Sequence, residues 1–310
     1  MHGETGPSGG PALTDVLGVM EVWASGRTSI RREDGSVEEF PTADIVSGKP
    51  VPPRPSRFAR LSDDEVERRG SGMFTPSEGK YVGDWLFRHT GGTNGRPNSI
   101  LPVGEPGGTL DEVLDQAAGF YAAHGRQPCA QVVVGSALLA ELEARGWVKL
   151  HPDEADTDVL LAGIAQLSRS LRSVDTTAFE LSHSPVISRE WLVGNDRALA
   201  NYEAVERSLR LSNGVFAAVS DNGPDGPRQL ARGRVNLVDD WALFGDLTVQ
   251  PEQRRRGLAR VIMADLTEWA AERGASVMLL QVLGDNVGAQ ALYESMGFVR
   301  HHSYRYLVAP

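Results

Sequence analysis

Four arginines, Arg254, Arg255, Arg256 and Arg260, crowd around Gly257 at the start of an amphipathic run that extends to Arg273. Helix starts ordinarily collect acidic side chains, because the first turn presents unpaired N–H groups and the positive end of the helix dipole. Cations placed there, beside a glycine that lets the backbone come close, make a site for an anion of the phosphate kind. The stretch from Arg254 through Gly257, Leu258 and Ala259 to Arg260 therefore reads as an anion-binding loop. Downstream, Asn286 and Tyr293 are seven residues apart, which is two helical turns and hence one helix face.

The elements that must position these residues follow from patterning. Trp241–Val249 reads as a strand whose last residues, Leu247, Thr248 and Val249, lead towards the loop. Leu258–Arg273 is the helix, the run around Gln281 a buried strand, and a shorter helix ends at Gly297-Phe298. Ahead of them, Val215–Ser220 and Gln229–Val238 form a hairpin, and Ala198–Leu209 is helical. Further upstream, Arg57–Arg69 is expected as a charged helix and Tyr81–His89 as a strand. Thr109-Leu-Asp-Glu112 is a capping box that opens a helix closed by Gly125.

That upstream helix is followed by a strand with Gln131, a short helix capped by Ser136, and Gly146-Trp147. The same succession recurs around Gly274, Gln281 and Gly297, at offsets of 149, 150 and 151 residues from Gly125, Gln131 and Gly146. Matched spacing at three landmarks points to an internal duplication. The first copy lacks the chemistry of the second, since LPVGEPGGT stands in place of the arginine loop. Gly135 takes the place of Asn286, and Leu142 that of Tyr293. The middle of the chain thus reads as a degenerate lobe kept for packing or for substrate shape.

Composition narrows the classes of function. The 310 residues are 41% apolar and 23% charged, as in an ordinary globular protein with room for more than one domain. A formal net charge of −10 disfavours nucleic acid as a partner and suits cationic ones such as amines. No run approaches the ~20 apolar residues of a membrane span. The start, MHGETGPSGGPA, lacks the basic and apolar regions of a signal peptide, so residues 1–11 are expected to be a disordered lead-in and the chain cytoplasmic. A single cysteine, Cys129, rules out an internal disulfide, and no Cys/His cluster suggests structural zinc. Residues 12–53 are expected to form a small β-barrel-like unit, with a hairpin at Asp34-Gly35 and a stiff Pro-rich linker from Lys49 to Pro55. Its suggested role is packing or dimerisation.

Taken together, the two blocks carry a family likeness. Arg254-x-x-Gly257-x-Ala259 lies between a strand ending Leu-Thr-Val-x-Pro and an amphipathic helix. Asn286, Ala291-Leu-Tyr293 and Gly297-Phe298 follow it at a characteristic spacing. This pattern resembles the GNAT superfamily of N-acetyltransferases, closely over residues 170–310 and more loosely over the whole chain. The looser likeness is to a subgroup with a small N-terminal barrel of the Src-homology type and a degenerate first lobe. The resemblance implies an α/β (α+β) fold with a mixed, mostly antiparallel sheet and flanking helices, splayed at the loop. It also implies a degenerate lobe over 57–165 and an acetyltransferase domain over 166–310.

The resemblance further implies acetyl-CoA as cosubstrate. Arg254, Arg255, Arg256, Gly257, Leu258, Ala259 and Arg260 would hold its pyrophosphate, and the backbone of Leu247, Thr248 and Val249 its pantetheine arm. Asn286 would contact it, and Tyr293 would sit by the sulfur, where a phenol of pKa ~10 can protonate a departing thiolate of pKa ~8.5. The plainer alternatives are a helix cap for Asn286 and a core aromatic for Tyr293. Many relatives carry a base, a glutamate, on the strand before the loop. Here Gly245 occupies that place, with Asp246 beside it as a base acting through water or as a strand-end cap. Trp191, Tyr202 and Trp241 are candidates for the acceptor side or for the core. The expected reaction is direct transfer of an acetyl group to a primary amine of a small molecule, peptide or protein. A catalytically weak acyl-CoA-binding regulator is the alternative that the missing glutamate leaves open. No metal, nucleic acid or membrane partner is expected, and a homodimer is allowed for.

Overall fold

A computed structural model describes residues 14–32, 36–49, 58–92, 95–210, 213–223 and 226–310. They belong to two units, residues 1–54 and 55–310. In the first, β1 (Val19–Ala24), β2 (Arg27–Arg31) and β3 (Val37–Pro41) pair antiparallel in sequence order. The β1–β2 turn places Ser25 and Gly26 at positive φ, 55° and 73°, as a two-residue hairpin turn requires. Within residues 12–53, expected as a small β-barrel-like unit, the described strands form a three-stranded sheet. The hairpin signal at Asp34-Gly35 and most of the Pro-rich linker lie outside the described residues.

The second unit begins with α1 (Asp63–Gly70), capped by Ser62, whose side chain accepts from the Glu65 N–H. Tyr81–His89, expected as one strand, falls in a hairpin of β4 (Glu78–Val82) and β5 (Trp85–His89). Gly83, at φ 59°, makes the turn. Next come β6 (Ile100–Leu101), α2 (Leu110–Ala122), β7 (Cys129–Val133), α3 (Ala137–Ala144), β8 (Val148–Lys149) and β9 (Thr157–Gly163). The Thr109–Glu112 capping box forms in both directions. Beyond lie α4 (Ile164–Leu171), β10 (Glu180–Ser184), α5 (Asp196–Ala200) and α6 (Tyr202–Ser208). The last two were expected as one helix, which breaks at Asn201. The chain closes with β11 (Gly214–Gly223), β12 (Gly226–Val238), β13 (Trp241–Val249), α7 (Leu258–Glu272), β14 (Val277–Leu283), α8 (Val287–Met296) and β15 (Val299–Val308).

One twelve-stranded sheet takes up every strand of this unit, in the order β10-β11-β12-β13-β14-β9-β15-β7-β6-β5-β4, with β8 also paired to β15. Only two neighbours run parallel, β6 with β7 and β13 with β14, and each pair is bridged by one helix, α2 or α7. The duplicated segment is thus the same β–α–β–α unit twice, and its four closing glycines, Gly125, Gly146, Gly274 and Gly297, all adopt positive φ. The two copies also exchange strands. β9 lies between β14 and β15, while the far end of β15 pairs with β7 and β8. Position 165/166, the expected division, falls within α4, and the sheet continues past it.

Burial follows the strand period of two. Leu160, Ala162, Met278 and Leu280 face a core covered by α4 and α7, and Val159, Leu161, Val277 and Leu279 face a second core containing Trp191 and Trp241. In α7, Leu258, Val261, Ile262, Leu266 and Ala270 recur at helical spacing and form its buried face. A third cluster, around Phe87, Tyr121, Val132 and Trp147, fills the first copy.

Candidate active site

β13 and β14 pair only from Trp241–Val277 to Phe244–Leu280, after which β13 continues to Val249 without its parallel neighbour. On its other side β13 stays bonded to β12, where Thr248 is opposite Arg232 and the Gln250 N–H donates to the Leu230 carbonyl. Antiparallel pairing alternates, so Leu247 and Val249 turn their backbone groups the other way, into the opening. The splay expected from the family is therefore built by strand length and register, with Thr248 bonded into the sheet.

A bulge sets the bottom of the opening. The β12–β13 register shifts between Arg232 and Arg234, and on the opposite strand Asp246 takes φ 56°. Four non-glycine residues among those described have positive φ. Ser25 and Asp239 belong to hairpin turns, while Asp246 and Arg255 flank the opening. Arg255 at 63° and Gly257 at 83° wind the chain into α7. A side chain on Gly257 would meet nothing within 4 Å, so the glycine borders open space. Arg254 and Arg255 are exposed and have no ion-pair partner among the described residues. Arg256 donates to the Gln253 side chain. Arg260 is half-buried and donates to the Ser295 hydroxyl on α8 at 2.7 Å, which ties the start of α7 to the helix of Tyr293. Leu258 is a core residue, and Ala259 is partly exposed in the first turn.

Asn286 is the N-cap of α8, its side-chain oxygen accepting from the Ala289 N–H at 3.2 Å. Tyr293 is buried against Phe298, with centroids 5.6 Å apart, in the core that also takes in Leu247 and Val249. Burial pushes its phenol up to about 12. Both plainer alternatives thus describe contacts these residues make, and neither contact excludes a role at the opening.

Asp246 is tied down. Its Oδ2 accepts from Nε of Arg234 at 2.5 Å, and the Arg234 side chain is completely buried. Arg234 also donates to the Met73 carbonyl at 3.0 Å and stacks on Phe74, 4.9 Å from the ring centroid. A side chain at position 245 would crowd this guanidinium, with a Cβ only 3.3 Å from Nη2, which accounts physically for a glycine at the place where the family resemblance led to a glutamate being expected. Asp246 also acts on Arg232, where burial lowers the guanidinium pKa and the aspartate opposes it.

A cavity of about 380 Å³ opens at the mouth of the splay, lined by Asp246 of β13 and Leu283 of β14 together with Arg96, Glu154, Arg197 and Tyr304. Sequence reasoning did not find Arg234, Arg96, Tyr304 or Tyr306. The Tyr304 hydroxyl accepts from Arg96 Nε at 2.9 Å and donates to Gln281 at 3.2 Å, and Tyr306 donates to Gln131 at 3.3 Å. The two repeat-related glutamines therefore flank one shared strand. Two arginines within an otherwise apolar strand, Leu230-Ala-Arg-Gly-Arg-Val235, were the available signal for Arg232 and Arg234. Trp191 and Trp241 are buried in the second core, and the Tyr202 hydroxyl bonds the Ile187 carbonyl.

A splayed parallel pair, a bulge beside it and an arginine loop at a helix start define a GNAT-type acyltransferase, and solved structures agree on the fold. A GCN5-related N-acetyltransferase from Kribbella flavida aligns over 81% of this chain and 95% of its own, with TM-score 0.55 and 17% identity. A tandem GNAT protein from the clavulanic acid biosynthesis pathway aligns over 79% and 87%, with TM-score 0.54 and 15% identity. Residues 65–307 match the family described as Probable histone acetyltransferase Rv0428c C-terminal, and the chain belongs to that family of N-acetyltransferases. The Mycobacterium tuberculosis relative of that description is 25% identical over 96% of this chain and 90% of its own. The mycothiol acetyltransferase of Kocuria rhizophila is 44% identical, over 36% of this chain and 42% of its own. The family's acyl donor is acetyl-CoA. Among the described residues, no helix is long and apolar enough to cross a membrane.

Proposed function

We propose that the chain transfers an acetyl group from acetyl-CoA directly to a small primary amine that enters the cavity beside Asp246. The observation that carries this is the coincidence of cavity and splay: Asp246 and Leu283 lie past the point where β13 and β14 separate, and both line the cavity. Its volume is within the ~300–1,000 Å³ usual for small-molecule sites. Exposed Arg254 and Arg255, the first-turn N–H groups of α7 and the Gly257 cradle suit a pyrophosphate. The outward-turned backbone of Leu247 and Val249 suits an amide chain, and the Asn286 amide N–H₂ remains free to reach it. The buried phenol of Tyr293 keeps its proton and gives it to the departing thiolate. Arg234 holds one oxygen of Asp246, and the other takes the amine proton through a water. Cys129 is buried in the first copy, so transfer needs no acyl-enzyme.

The family description favours a second acceptor, the amine of a protein such as a histone. Thiol release from acetyl-CoA, followed with a panel of small amines and with lysine-containing peptides, tests both. Turnover confined to small amines supports the first reading, and turnover confined to peptides the second. Tight acetyl-CoA binding without turnover on any acceptor would refute both in favour of a regulatory acyl-CoA-binding role.

A further inference from the structure

β15 carries a bulge in its pairing with β9, between Arg300 and His302. Neighbouring side chains on a regular strand point to opposite faces, and a bulge re-aims them. Here His301 and His302 converge, with their Nδ1 atoms 2.8 Å apart and their rings inclined at 84°. The first turn of α1 faces them. Asp63 places Oδ1 3.4 Å from Nδ1 of His301 and 3.6 Å from Nδ1 of His302. One turn further on, Oε1 of Glu67 lies 2.7 Å from Nε2 of His302, and the Leu61 carbonyl lies 3.1 Å from Nε2 of His301.

The hydrogen positions follow from these partners. A carbonyl and a carboxylate accept, so both Nε2 atoms carry hydrogen, and in a neutral imidazole Nδ1 is then a lone pair. Two lone pairs and a carboxylate oxygen converge on one spot, in side chains only 7% and 6% exposed for the two histidines. Such a spot calls for a positive charge.

We propose that Asp63, His301 and His302 bind a divalent transition-metal ion of the zinc type, apart from the acyl-transfer cleft. Their donor atoms lie within 4.8 Å of one another. Two imidazole nitrogens with one carboxylate suit Zn²⁺ or Co²⁺, whereas Mg²⁺ and Ca²⁺ take oxygen donors. Glu67 and the Leu61 carbonyl orient the rings as outer partners do in metal sites. Three protein ligands leave a fourth place for water on the side of Asp63, whose side chain is 47% exposed. Metal–nitrogen bonds of ~2.05 Å at a tetrahedral angle set the nitrogens ~3.3 Å apart, so the rings part by about half an ångström on binding. The competing occupant is a single proton shared between the rings. The ion would pin the start of α1. The turn after α1, Ser71–Met73, presents the Gly72 and Met73 carbonyls to Asn236 and Arg234 at 2.9 and 3.0 Å. The site thus braces the segment that holds the partner of Asp246.

The test uses the full chain without an affinity tag, stripped with a chelator and titrated with Zn²⁺ by calorimetry and with Co²⁺ by visible absorption. The expected result is one ion per chain and the intense absorption of tetrahedral Co²⁺. Asp63→Asn, at an exposed helix start, should weaken binding about 10- to 100-fold, and His301→Ala should abolish it. His151→Ala, at an exposed histidine outside the cluster, should leave it unchanged. Should His301→Ala fail to fold, Asp63→Asn decides. Failure of the unaltered chain to take up either ion would overturn the proposal and leave the shared proton as occupant. Equal affinity in Asp63→Asn would overturn it by placing the ion elsewhere.

Discussion

Replacing Asp246 with asparagine removes the counter-ion of a guanidinium that has no contact with solvent. Arg234 would keep the Met73 carbonyl and the Phe74 ring, while its Nη2 already lacks a protein partner. Breaking a fully buried ion pair from one side costs ~3–5 kcal/mol. Asp246 is 38% exposed and asparagine keeps an acceptor oxygen, so about 2 kcal/mol is the scaled expectation. For a unit of this size that lowers Tm by about 4–8 °C. Arg234→Met alone should cost a similar amount. The double variant should recover about 1–2 kcal/mol relative to the sum, because neither charge is then left alone. Urea denaturation of the four proteins closes the cycle, and thiol release from acetyl-CoA is measured on the same samples. Stability regained without activity would assign Asp246 a part in the chemistry. Activity regained with stability would make it the partner of Arg234 and nothing more. An asparagine variant that unfolds with the unaltered protein would refute the reasoning, since it would mean the buried guanidinium does not depend on this carboxylate.

Further expectations concern separate parts of the molecule. Arg254→Ala with Arg255→Ala should weaken acetyl-CoA binding about 10- to 100-fold, less so at high salt, with an unchanged melting temperature, as calorimetry would read. Tyr293→Phe should lower turnover and leave acetyl-CoA affinity and stability nearly unchanged. Because burial raises this phenol to about 12, it stays protonated and imposes no fall in turnover up to about pH 10 in the unaltered enzyme. Burial, His124 and Arg126 hold the His89 pKa below its ordinary 6.5, so the unfolded chain binds the proton more readily. His89 therefore costs no stability above pH 6.5 and an increasing amount as pH falls through and below that value. Denaturation at pH 7.5 and 5.5 should show that loss diminished in His89→Gln. Burial raises the Cys129 thiol to about 12, so its native reaction with a thiol reagent should be markedly slower than in denaturant.

How far the sequence could be read depended on how local each signal was. α7, its loop and β14 were legible because period, glycine and charge lie within forty residues; the positive φ of Gly257 is a feature the structure adds. The capping box at Thr109 was equally local. The hairpin at Gly83-Asp84 was missed because one strand absorbed a turn signal, and α5 and α6 were merged because Asn201 resembles an ordinary surface helix residue. The pairing of Asp246 with Arg234 was hidden because it depends on a bulge and on Met73 and Phe74 from 160 residues upstream. His301 and His302 escaped for the same reason. As sequence neighbours they suggest opposite faces of a strand, and tertiary pairing turns them together.

The duplication gains a physical meaning from the exchanged strands. Had each copy closed on itself, the first, without arginine loop or tyrosine, could be lost without disturbing the second. β9 instead fills the place beside β14, where all seven of its residues are buried, and β15 continues out of the second copy to pair with β7. The shared strand carries Tyr304 and Tyr306 between Gln281 of one copy and Gln131 of the other, and Arg96 of the first copy reaches Tyr304 at the cavity wall. The first copy, which has no arginine loop of its own, thus supplies through Arg96 and its pairing with β15 a wall of the cavity beside Asp246.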